Sequence, residues 1–157
     1  MDFKTTLGKG SFSLQLKSDT KEGVIHEMID LMVADGKLPN RNVALAAVLD
    51  REKKMSTGMQ CGVAIPHGKT DTIDDLVVAF ALKKEGIDFG AIDGQPSKIF
   101  VMTISSTNRT GPHIQYLAEI SKVLNVPSIR ERLLQATTVD EIISLLTGGT
   151  VVSAQVA

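Results

Sequence analysis

The chain has 157 residues, of which 43% are hydrophobic and 22% charged, with 17 Lys and Arg against 18 Asp and Glu for a formal charge of −1. The length fits one domain spanning residues 1–157, and the composition excludes a disordered chain. Balanced charge without a basic run, no Trp and one Tyr argue against a nucleic-acid partner.

Residues 12–16 (FSLQL) alternate and predict a short strand. Asp19 followed by Glu22 has capping-box spacing and predicts a helix start. Val24, Ile25, Met28, Ile29, Leu31 and Met32 then form a helical stripe, which Gly36 stops. Asn40 predicts the cap of a second helix, with Val43, Ala46, Ala47 and Leu49 facing inward. That helix ends in the charged run 50–54. A polar loop (56–62) leads into the apolar run 63–65, and Pro66 forces Ile65 into extended geometry.

The continuous apolar run 76–82 predicts a strand covered on both faces. Asp93-Gly94 predicts a turn between 86–92 and 98–104, hence a hairpin, with 99–104 a second buried strand. Thr110-Gly111-Pro112 predicts a cap and a first-turn proline. Behind them, Ile114, Leu117, Ala118, Ser121 and Leu124 follow helical spacing. Pro127 closes that helix, Ser128…Glu131 and Thr138…Glu141 predict two short helices, and Gly148-Gly149 ends the last. Residues 150–157 read as a tail or an edge strand. Four or five strands mixed with as many helices make an α/β fold, a mixed sheet flanked by helices.

The single cysteine, Cys61, cannot form an internal disulfide, which favours a reducing compartment. No leader-type segment opens the chain and no apolar run approaches the roughly twenty residues of a membrane span, so the expectation is a cytoplasmic protein without membrane insertion.

Three histidines are candidates for chemistry. His26 lies at a polar helix edge beside Glu27 and Asp30 and reads as a solvated surface residue. His67 follows a strand and a proline and precedes Gly68, which lacks a side chain and permits close approach or a positive φ. Its imidazole is largely neutral at neutral pH and can act as a nucleophile; the alternative is a histidine that only occupies a turn. His113 sits in a predicted first helical turn, where the dipole depresses its pKa and attracts anions. From there it could donate to a phosphoryl oxygen; the alternative is local packing against the cap. Arg51 offers a planar fork for phosphate, or is one solvated charge in its run. Ser56 and Thr57 offer hydroxyls for an oxyanion or for the turn. Gly8-Lys9-Gly10-Ser11 lacks P-loop spacing, no third ligand completes a metal site around His67 and His113, and a Cys61–His pair has no local signature.

The stretch from Arg51-Glu52 through Ser56-Thr57-Gly58 to Gly62-Val63-Ala64-Ile65-Pro66-His67-Gly68 resembles the signature of the enzyme IIA domain of the bacterial phosphoenolpyruvate:sugar phosphotransferase system (PTS EIIA type-2). The type is the fructose/mannitol one, which includes a nitrogen-regulatory branch. His113 to Ile120 and Leu133 to Leu146 match further family segments, so the likeness runs from about residue 10 to 147. Gln60 and Cys61 depart from the usual pattern.

The resemblance implies a mixed sheet flanked by helices. It implies that His67 takes a phosphoryl group from the histidine-containing phosphocarrier protein and passes it to a IIB component. Alternatively, a stand-alone nitrogen-type domain controls regulatory target proteins through its phosphorylation state. Arg51 and His113 correspond to the phosphate-stabilising pair, and Thr57 and Gly68 also belong to the motif. No cofactor or metal is implied, because the donor is already an activated phosphoramidate.

Overall fold

The two apolar runs expected as buried strands form the centre of the sheet. They correspond to β4 (Val77–Ile87) and β5 (Ser97–Ser106) in a computed structural model that describes residues 3–108 and 110–148. The pair is antiparallel, with Ala79 opposite Met102 and Phe80 opposite Val101. β1 (Ser11–Ser13) lies parallel along the far edge of β4. β2 (Val63–Ala64) and β3 (His67–Thr70) follow one another along the free edge of β5, both parallel to it. Pro66 stands between them, and its carbonyl accepts from the Thr103 amide.

Period-two alternation makes each central strand two-faced. Ala79, Ala81, Phe100, Met102 and Ile104 pack with α2 (Lys21–Ala34) and α3 (Arg41–Lys54). Val78, Phe80, Leu82, Ile99 and Val101 pack with the opposite layer, made of α1 (Phe3–Gly8), α4 (Thr110–Leu124), α5 (Pro127–Gln135) and α6 (Val139–Thr147). Each fully buried Phe or Leu contributes roughly 1.5–3 kcal/mol, so these two cores hold the sheet between its helices. The fold is the expected α/β arrangement with a mixed five-stranded sheet.

Several local expectations need correction. The α2 cap is Thr20, whose hydroxyl accepts from the Gly23 amide, and not Asp19. Asp19 is drawn away by the buried Lys83, 3.0 Å from its carboxylate. Residues 86–92 are not a separate strand: β4 itself runs on through an irregularity between Leu82 and Ile87 before the connection that carries Asp93-Gly94.

Asn40 caps α3 as predicted, through the Val43 amide, yet the buried residues are Ala44, Leu45, Val48 and Glu52. Close packing of the α3 backbone over β3 sets that rotation and turns Val43 outward. On α4 the inward stripe is His113, Tyr116, Ile120 and Leu124, while Ile114 is exposed. Polar contacts made by His113 and the stacking of Tyr116 on Phe3 (5.1 Å) decide that face, which an apolar count overlooks.

α5 starts at Pro127 after an uncapped Val126, so Ser128 lies inside the helix. Thr138 caps α6 and Gly148 closes it in the left-handed conformation. The six-residue α1 was not anticipated. The Thr110 side chain, Gly149 and residues 150–157 fall outside what is described.

Gly68 shows how tightly the layers meet. A Cβ there would lie 3.0 Å from the Val48 amide nitrogen and 3.1 Å from the Ala47 carbonyl carbon, both backbone atoms of α3. Gly68→Ala should therefore lower stability by about 1–3 kcal/mol and Gly68→Val by more. Thermal unfolding followed by circular dichroism checks this; an unchanged melting temperature for the valine variant would show that α3 has room to move.

Candidate active site

The α4-facing stripe of β5 changes character along its length. Ile99 and Val101 are apolar, but the next two positions on that face are Thr103 and Ser105. β3 pairs here in register, His67 with Thr103 and Lys69 with Ser105. In-register neighbours of a parallel pair share a face, so two hydroxyls, a histidine and a lysine converge at this end of the sheet.

The first turn of α4 lays His113 over the hydroxyls. Its Nε2 is 3.0 Å from Thr103 Oγ1 and its Nδ1 3.1 Å from Ser105 Oγ. The side chain is buried, and desolvation, reinforced by the charges of His67 and Lys69, pushes its pKa from 6.5 down to about 4. A depressed pKa was expected from the helix start; the depression is present, but its causes are burial and the charges of His67 and Lys69. A neutral imidazole satisfies both hydroxyls, donating through one nitrogen and accepting at the other.

His67 is half-buried, with its ring 5.7 Å from that of His113 and edge-on at 62°. Its Nδ1 lies 2.9 Å from the Ile65 carbonyl oxygen. A carbonyl can only accept, so Nδ1 carries a proton, and in the neutral ring the Nε2 lone pair is free.

His67 lines a groove of 720 Å³, together with Arg51, Thr57 and Met55 on one side and Leu117 and Leu124 of α4 on the other. Arg51 donates from Nη1 to the Met55 carbonyl at 2.8 Å. Met55, Met59 and Ile92 stand exposed at the rim.

Of the predicted residues, the structure brings Arg51, Thr57 and His67 into one groove and sets His113 directly behind His67. Thr57 is buried, and both its amide and its hydroxyl donate to Glu52, so its donors hold the loop. Gly68 turns to the opposite face, under α3, and its φ is not positive. Its freedom from a side chain therefore serves packing. Cys61 adopts a left-handed φ of 64° outside the groove, its amide donating to Asp93, so a Cys61–His67 nucleophilic pair is not assembled. His26 stays at the surface, 3.9 Å from Glu22.

Sequence reasoning missed Thr103, Ser105 and Glu52. Two hydroxyls alternating within an otherwise apolar strand were a readable signal for the first two. Nothing in a charged run distinguishes a buried glutamate.

Residues 5–148 match the family described as "Phosphoenolpyruvate-dependent sugar phosphotransferase system, EIIA 2". The chain belongs to this family. It is 39% identical over 135 residues to the fructose-specific EIIA component of Haloferax volcanii, covering 86% of this chain and 88% of that protein. It is 35% identical to the fructose-specific EIIABC component of Bacillus subtilis, covering 93% of this chain but only 23% of that longer protein.

Among solved structures, the nitrogen regulatory protein IIA-Ntr of Neisseria meningitidis superposes with a TM-score of 0.80 at 26% identity, covering 91% of this chain and 97% of that one. Mannitol enzyme IIA of Escherichia coli, in complex with phosphorylated enzyme IIB, gives 0.75 at 30% identity, covering 88% and 94%. Domains of the EIIA family are phosphotransfer proteins, and family members pair with a IIB component. No helix among the described residues is long and apolar enough to cross a membrane.

The buried, neutral His113 makes stability depend on pH. Between the unfolded value of 6.5 and the folded value of about 4, the unfolded chain binds the extra proton, so stability rises with pH across that window. The contribution is complete above about pH 6.5 and is lost toward pH 4, amounting to roughly 3 kcal/mol at most. Melting temperatures measured from pH 7 to pH 4.5 should fall in the native protein and fall less steeply in His113→Gln. Parallel slopes would show that His113 is not the group responsible.

Proposed function

We propose that this protein is a phosphocarrier, accepting a phosphoryl group on Nε2 of His67 from the phosphohistidine of the histidine-containing phosphocarrier protein and passing it to a IIB component for sugar uptake. The observation that carries the reading is the bond between His67 Nδ1 and the Ile65 carbonyl, which fixes the tautomer with Nε2 unprotonated on a side chain that lines an open groove.

The Nε2 lone pair attacks phosphorus as the donor's P–N bond breaks, and the donor imidazole leaves with that electron pair. Positive charge then develops on the His67 ring, and the Nδ1–H bond to the carbonyl strengthens as a charge-assisted one. Transfer of this kind is mostly positioning and charge stabilisation. Arg51 supplies the cation on the groove wall. His113, engaged with Thr103 and Ser105, holds the back of the site and limits where the His67 ring can lie.

A second reading draws on the similarity to a nitrogen regulatory protein. In it the same phosphorylation controls the binding of regulatory targets to the groove. Rapid passage of label to a sugar-specific IIB supports the transport role. Partners captured by the unphosphorylated form and released on phosphorylation support the regulatory one.

Incubation with phosphoenolpyruvate, the first enzyme of the system and the phosphocarrier tests the main point. Mass spectrometry should show one phosphoryl group, and NMR of the ring should place it on Nε2. His67→Ala should take no label, His113→Ala should label at least tenfold more slowly, and His26→Ala should match the native rate. Labelling of His67→Ala at the native rate would overturn the proposal.

A further inference from the structure

We infer that Glu52 is a positioning residue for transfer at His67 and acts through Arg51. This rests on the reading above that His67 carries the phosphoryl group. Arg51 and Glu52 adjoin in the last turn of α3, and the helical step of 3.6 residues per turn sends them to different sides. Arg51 turns to the groove, whereas the Glu52 side chain is 5% exposed.

Three donors meet the Glu52 carboxylate. The Thr57 amide reaches it at 2.8 Å, the Thr57 hydroxyl at 2.5 Å and the Lys21 ammonium at 2.7 Å. Lys21 comes from the first turn of α2, and its ammonium also stands 4.9 Å from the centroid of the Phe89 ring. One buried carboxylate thus gathers α2, the end of α3, the loop that follows it and the approach to the β4–β5 connection. Burying a carboxylate this deeply is costly unless donors surround it, and here the donors are the structure it organises.

The held loop is tied to its neighbour. The Ser56 hydroxyl donates to the Phe89 carbonyl at 2.7 Å, and the Ile92 amide donates to the Gly58 carbonyl at 3.2 Å. A Cβ on Gly58 would come within 2.9 Å of Ala91 Cα, so the two segments already touch. The Met55 carbonyl that anchors Arg51 precedes Thr57 by two residues on this same loop. A guanidinium tied to that carbonyl goes where the Thr57 loop goes. Glutamine at position 52 could keep one Thr57 bond, but it loses the charge that holds Lys21.

The test is the rate of phosphorylation of the full chain by the phosphorylated carrier, in native protein, Glu52→Gln, Arg51→Ala and the double variant. Each single variant should lower kcat at least tenfold, and the double variant should be no slower than Arg51→Ala alone. Loss of stability alone would not produce that dependence on Arg51. Multiplying losses in the double variant, or a native rate in either single one, would overturn the inference.

Lys21→Met, which leaves Glu52 in place, should lower kcat at least threefold, and Lys21→Arg should restore it. If Glu52→Gln melts below the assay temperature, this pair decides: equal rates in Lys21→Met and native protein overturn the inference. If the native chain takes no label, the phosphocarrier reading falls and this inference with it; if it labels and Glu52→Gln labels as fast, only the inference falls.

Discussion

The parallel pairing of β3 with β5 is the constraint on which the site depends. Pairing His67 with Thr103 puts the histidine on the α4 side of the sheet, and a slip of one residue would reverse every side chain. In that slipped arrangement Gly68 would face His113, and the imidazole would meet the backbone of α3. The register is held from both directions. Pro66 accepts from the Thr103 amide, and α3 presses on Gly68, where no larger residue fits without displacement. The tautomer of His67 follows from the same geometry, because the Ile65 carbonyl beside Nδ1 belongs to the extended segment that delivers the strand.

How much of this the chain discloses before folding depends on the kind of signal. The apolar runs 76–82 and 99–104 are long and unbroken, and they became the central strands. His67 stood out as a candidate because strand, proline and glycine stand together around it. The helix faces were read less well. On α4 the inward positions are taken by a histidine and a tyrosine, and an isoleucine lies outside. An apolar-periodicity argument assigns those residues the other way round, since it cannot see hydroxyls waiting on another strand.

The cap expected at Asp19 failed for a related reason. Both Asp19 and Thr20 can cap a helix, and the choice was made by the buried Lys83, 64 positions from Asp19, whose 3.0 Å contact claims the carboxylate. The capping box at Thr138 met no such competitor and formed as its spacing implies. Local signals hold where no distant charge competes for the same group. Glu52 is the extreme case. Its neighbours Arg51, Lys53 and Lys54 look like a solvated run, and only the donors of Thr57 together with Lys21 from another helix make a buried carboxylate tolerable there.

For a carrier that must release what it accepts, the charge around the site matters as much as the nucleophile. A protonated His113 beside His67 would add a second cation and bind a phosphoryl dianion more firmly. Desolvation, reinforced by the charges of His67 and Lys69, holds the His113 pKa at about 4 and so disfavours that state near neutral pH. The ring that backs the site is thereby kept polar but uncharged. Arg51, by contrast, reaches the groove from the last turn of α3, where the Met55 carbonyl and the loop held by Glu52 fix its position. For the phosphocarrier proposed above, an uncharged ring behind His67 and the Arg51 cation on the groove wall would hold a phosphoryl group loosely enough for it to be passed on.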